Sequence, residues 1–141
     1  MPSTYYLFVY GSLRSGFKNP AYEYISHFFE LIGVARAKGK LYDMGQYPAA
    51  VPGGENHYLV GELYRIKDEH EFSWAFGQLD DYEGLDMEPG ETPEYRREIT
   101  EVEFQEKKFQ AWIYWYNAST EGCPIIESGD VLKYIQDKTQ I

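Results

Sequence analysis

The segment QLDDYEG, residues 78–84, gathers Asp80, Asp81 and Glu83 around a tyrosine just ahead of a glycine. The stretch leading into it, DEHEFSWAFGQLDDY, reads as a helix over 68–82. Asp68 can cap it, Glu69 and Glu71 suit its first turn, and Phe72, Phe76 and Leu79 share one face. Carboxylates at the far end of such a helix oppose its dipole. Glu83 keeps helical spacing with Phe76 and Leu79 and so reaches the inward edge, whereas Asp80 and Asp81 are expected to be solvated. A carboxylate held near aromatic rings is poorly hydrated and keeps its proton longer, which suits a general acid or base near neutral pH. The plainer reading of Glu83 is a solvated glutamate at a helix end.

A second candidate is the turn VYGSLRSG at residues 9–16. A glycine directly after a strand lets the backbone approach a ligand, and successive N–H groups there can hold an anion or an oxyanion. The plainer reading is a tight turn without a ligand. The loop lacks the spacing of either nucleotide-binding glycine motif. A third candidate is WIYWYN, residues 112–117. On a strand, Trp112, Tyr114 and Tyr116 take one face and Ile113 and Trp115 the other. One face is expected in the core, with a cavity wall or further core on the other. His27, His57, His70 and Cys123 show no metal-ligand spacing, and Cys123 has no base nearby in sequence. Arg96 and Arg97 are expected to pair with carboxylates.

The elements that must position these residues follow from hydrophobic pattern and punctuation. TYYLFVY (4–10) reads as a buried strand ending at Gly11, and PAYEYISHFFELIG (20–33) as a helix. VARAKGKLYDMG (34–45) reads as a strand with a bulge or close approach at Gly39. QYPAAVPGGENH (46–57) reads as a loop and YLVGELYRI (58–66) as a strand. EYRREITEVEF (94–104) and KFQAWIYWY (108–116) flank a polar turn as a hairpin, and DVLKYIQDK (130–138) reads as a short final helix. Helices among strands, with a late antiparallel hairpin, predict an α+β fold occupying residues 1–141 as one domain.

The chain has 141 residues and a formal net charge of -10. That charge argues against binding nucleic acid through the bulk field. One cysteine forms no internal disulfide, no basic segment with an apolar run opens the chain, and no apolar run is long enough to span a membrane. A soluble cytoplasmic domain is the expectation. Aromatic residues make up 18%, mostly tyrosine, which suits half-buried strands or a ring-lined pocket.

VYGSL ending the first strand, LYDMGQYPA near the middle, LDDYEG closing a helix, YRR opening a strand and WIYWYN in the next occur in this order. Together they resemble the γ-glutamylcyclotransferase-like family, in particular its small branch of γ-glutamylamine cyclotransferases and AIG2-like proteins. The resemblance runs from Tyr6 nearly to the chain's end. It implies a compact mixed β-barrel with flanking helices. It also implies a pocket beside the first strand–loop junction, with Glu83 as the catalytic residue. Tyr10, Gly11, Ser12 and Leu13 would then be the binding loop, and Tyr114, with Tyr116 a weaker match, the tyrosine that completes the pocket. The reaction it implies is release of 5-oxoproline from a γ-glutamyl compound. That chemistry requires no metal, nucleotide or other cofactor, and its partner is a small-molecule γ-glutamyl substrate. Two other readings stand beside it. One is a domain that binds a small metabolite in the same cavity without turnover. The other is a glycosidase-like enzyme, which needs two acids facing each other across a substrate.

Overall fold

A computed structural model describes residues 4–10, 26–43, 48–53, 56–82, 95–117, 120–130 and 134. Seven strands and one α-helix occupy them: β1 (Tyr6–Val9), β2 (Phe29–Lys38), β3 (Lys40–Asp43), β4 (Pro48–Val51), β5 (Tyr58–Ile66), α1 (Phe72–Tyr82), β6 (Tyr95–Phe104) and β7 (Lys107–Tyr116). Five strands close a barrel in the order β1-β5-β2-β6-β7. All neighbours are antiparallel except β1 and β7, which run parallel with Leu7 opposite Trp112. The fold is thus the mixed barrel with a flanking helix.

Period-two alternation explains the layers. Phe8, Tyr10, Ala35, Ala37, Leu63, Val102, Ile113 and Trp115 point inward and fill the barrel. Leu7, Val9, Tyr64, Ile66 and Tyr114 point outward, where Ala75, Phe76 and Leu79 of α1 cover them. Phe76 meets Phe29 edge-on at 5.4 Å and lies 6.3 Å from Trp112. Both faces of β1 and β5 are therefore buried, which is why these strands read as almost continuously apolar. No described helix is long and apolar enough to cross a membrane.

Asp68 caps the 3-10 turn that opens α1, accepting from the His70 amide at 2.9 Å. Two of the predicted elements differ. Of the helix expected over 20–33, residues 26–28 are helical, and from Phe29 the chain is β2, pairing with β5 from Phe29↔Ile66 onward; residues 20–25 lie outside the described part. From Phe29 on, tertiary pairing outweighs the helical spacing that Leu31 continues, since a closed barrel leaves no edge unpaired. The loop expected over 46–57 contains β4, which pairs with β3 through Leu41↔Ala50 and Tyr42↔Ala49. Its proline stands at the first strand position of a two-stranded sheet, where the missing N–H removes no ladder bond from the barrel. Gly39 separates β2 from β3 by close approach: a β-carbon there would stand 3.1 Å from both Leu59 and the Trp115 ring. Most of the expected final helix lies outside the described residues; Tyr134 is helical and its hydroxyl donates to Asp43 at 2.7 Å.

Candidate active site

Of the residues singled out from the sequence, Gly11, Ser12, Leu13 and Glu83 lie outside the described part of the structure. The described frame reaches to the neighbours of both segments, at Tyr10 and at Tyr82. Tyr10 directly follows β1, with its ring in the barrel interior and only 7% exposed. Its hydroxyl donates to the Tyr114 carbonyl at 2.5 Å.

Tyr114 lies on the outer face of β7, 4% exposed, and its own hydroxyl donates to Asp80 Oδ1 at 2.7 Å. Asp80 is in the last turn of α1. Arg97, directly opposite Tyr114 in the β6–β7 ladder, grips the same carboxylate with two N–H groups, Nε to Oδ1 at 2.8 Å and Nη2 to Oδ2 at 3.1 Å. The Arg97 guanidinium lies 4.5 Å from the Trp112 ring centre and 5.0 Å from that of Phe76. A fork on a carboxylate with rings beside it is the arrangement in which arginine loses least freedom per bond formed.

This corrects the expectation that Asp80 is solvated. Its side chain is 23% exposed and accepts three hydrogen bonds. A signal was present: Asp80 follows Phe76 by four residues, so it shares the face that packs on the barrel. The side chain of Asp81 lies outside the described part. The expectation for the arginines holds, since Arg96 pairs with Glu98 at 3.2 Å and donates to Asn117 at 3.1 Å. Tyr116 is 8% exposed, with its ring edge-on to Tyr95 at 5.5 Å.

A residue that sequence reading passed over is Glu62. It stands opposite Val9 in the ladder, is 6% exposed and accepts from the Tyr64 hydroxyl at 3.0 Å. Its alternation with Leu63 resembled an ordinary solvent-facing strand position.

A cleft of about 370 Å³ is lined by Lys38, Pro52, Glu98, Thr100 and Trp115. Trp115 is thus both core and cavity wall. The cleft does not include Tyr10, Asp80 or Tyr114. Among the described residues, no three His, Cys, Asp or Glu side chains converge to hold a metal ion.

Comparison with known proteins gives the class. Residues 7–133 match the model of the family described as gamma-glutamyl cyclotransferase, AIG2-like, and the chain belongs to that family. A Vibrio cholerae relative is 36% identical over 126 residues, covering 88% of this chain and 92% of its own. The gamma-glutamylcyclotransferase family protein YtfP of Escherichia coli is 34% identical over 89% of this chain and 95% of its own. Its solution structure superposes with a TM-score of 0.61. The crystal structure of YkqA from Bacillus subtilis gives a TM-score of 0.68 at 28% identity; it covers 97% of this chain, which spans 44% of that protein's length.

Proposed function

We propose that the protein is a cyclotransferase that releases 5-oxoproline from a γ-glutamyl amine or amide, with Glu83 as general acid and base. Family membership supports the reaction class. The observation that carries the reading is the double tether at Tyr114, whose carbonyl accepts the Tyr10 hydroxyl and whose hydroxyl donates to Asp80. Tyr10 directly precedes Gly11, and Asp80 precedes Glu83 by three residues. One residue thus anchors the chain leading into both candidate segments.

The substrate brings its own nucleophile, the α-amine, and a pocket holding it folded back supplies proximity. The Glu83 carboxylate takes a proton from the α-ammonium. The freed nitrogen attacks the γ-carbonyl carbon, closing the five-membered ring and moving charge onto oxygen. N–H groups of Gly11, Ser12 and Leu13 hold that oxyanion or the substrate's α-carboxylate. Collapse breaks the bond to the leaving nitrogen, which takes its proton from Glu83. Over a turnover two protons leave the α-nitrogen and two reach the departing amine as its ammonium, so Glu83 begins and ends ionised. Tyr114 completes the pocket wall in this reading.

The test is 5-oxoproline release from a panel of γ-glutamyl amines and γ-glutamyl amino acids, by wild type and by Glu83→Gln. Release by wild type and its loss in a folded variant are expected. No release from any compound would leave a metabolite-binding domain, and full release by the variant would remove Glu83 from the reaction.

A further inference from the structure

We propose that Asp80, Arg97 and Tyr114 act as a positioning unit that fixes the last turn of α1 on the β6–β7 hairpin, and so sets the angle at which the chain delivers Glu83. The inference rests on the role proposed above for Glu83.

Asp80 occupies the end of α1 where a carboxylate is unfavourable to the helix itself, because it faces the negative end of the helix dipole. Its presence there calls for a compensating interaction, and the hairpin supplies one. Arg97 and Tyr114 are cross-strand partners, so their side chains leave the sheet side by side on the face that α1 covers. Both donate to the one carboxylate, which fixes its position along two strands at once. The fork also fixes its plane, because two parallel N–H bonds resist rotation where a single bond would not. Arg97 is itself held by the rings of Trp112 and Phe76, the second of which belongs to α1. The side chains of the pair are 21% and 23% exposed, so water competes only weakly for these bonds.

The arrangement is stronger than helix packing requires. Ala75, Phe76 and Leu79 already bury the helix against the barrel. Apolar contacts are non-directional and tolerate a small slide or rotation; the fork does not. Only Asp81 and Tyr82, the last two residues of α1, stand between Asp80 and Glu83 in the chain, which couples the set of the helix end to the delivery of Glu83 in this proposal. Through the Tyr114 carbonyl, the unit is also referenced to Tyr10, the residue before the proposed binding loop. Asp80 touches no reacting atom in this scheme, and its effect runs through Glu83.

The experiment compares wild type with Asp80→Asn and Arg97→Lys, each of which keeps volume close to native while breaking the fork. Three quantities are read: kcat and KM for 5-oxoproline release, the Glu83 side-chain carboxyl titration by carbon-13 NMR, and amide hydrogen exchange. Both variants are expected to lower kcat about tenfold or more with KM little changed, since small misplacement of a reacting group can reduce rate about 10²-fold. The Glu83 titration midpoint is expected to move, and exchange from Leu79 to Tyr82 to quicken about tenfold while the β2–β5 ladder keeps its protection. A general loss of stability would instead quicken both regions together, and that result overturns the proposal. So do an unchanged kcat in an active enzyme and unchanged exchange at the end of α1. Absence of turnover by wild type overturns the role given to Glu83. The exchange arm then decides by itself whether Asp80 holds the helix end.

Discussion

The hydroxyl of Tyr114 donates to Asp80 Oδ1 at 2.7 Å, joining the end of a barrel strand to the last turn of the helix outside it. The same Tyr114 accepts the Tyr10 hydroxyl through its carbonyl. Two segments more than sixty residues apart in sequence, one after β1 and one after α1, are thereby referenced to a single strand position.

If Glu83 moves the protons of the cyclisation, Glu83→Gln should lower kcat by about 10²–10⁴-fold, the usual contribution of a placed acid or base. Steady-state 5-oxoproline release, measured beside a thermal melt of the same samples, separates chemistry from folding. A variant with native kcat and an unchanged melt would exclude the role.

Removing the Phe76 ring should be among the most damaging core changes. Phe76→Ala loses its contacts with Phe29, Phe72 and Trp112 and the ring facing Arg97. A cost of about 3–5 kcal/mol is expected for truncating a buried phenylalanine, read as the change in urea-unfolding free energy. A loss below about 1 kcal/mol would mean that α1 does not depend on this contact.

Gly61 faces inward on β5, where a β-carbon would collide with the Val9 carbonyl oxygen and come within 2.7 Å of the Phe8 ring. The neighbouring strand backbone cannot move aside without opening the barrel. Gly61→Ala should therefore destabilise by about 1–3 kcal/mol or more, as overpacking does. Equilibrium unfolding of the variant checks it, and an unchanged midpoint would contradict the close approach of β1 to β5.

The hairpin β6–β7 turns through Gln105 and Glu106, both with positive φ, 49° and 66°. This is the backbone of a type I′ turn, which favours Asn-Gly. Replacing Gln105→Asn together with Glu106→Gly should raise stability by about 1 kcal/mol, the order of the left-handed penalty relieved. The measurement is the thermal midpoint, and a fall would show that these side chains contribute more than their backbone strain removes.

The sequence by itself carried much of this architecture. The alternation in Tyr58–Ile66 and Lys107–Tyr116 and the capped helix beginning at Asp68 gave the α+β class, and the order of short motifs gave, through resemblance, the barrel and the family. Local pattern suffices there because each strand and helix face is written within a few residues. Phe29–Lys38 was misread in part, because a register shift between Leu31 and Gly33 breaks its alternation, and its partner β5 lies some thirty residues away. The role of Asp80 was decided only in three dimensions. Its carboxylate is satisfied by Arg97 and Tyr114, seventeen and thirty-four residues further along, and no local rule connects them. Burial of Glu62, 6% exposed and accepting from the Tyr64 hydroxyl, is likewise absent from the strand's local pattern. Residue types fixed which groups were available for chemistry. Long-range pairing fixed which of them meet, because the partners of a buried polar group are chosen by the path of the whole chain.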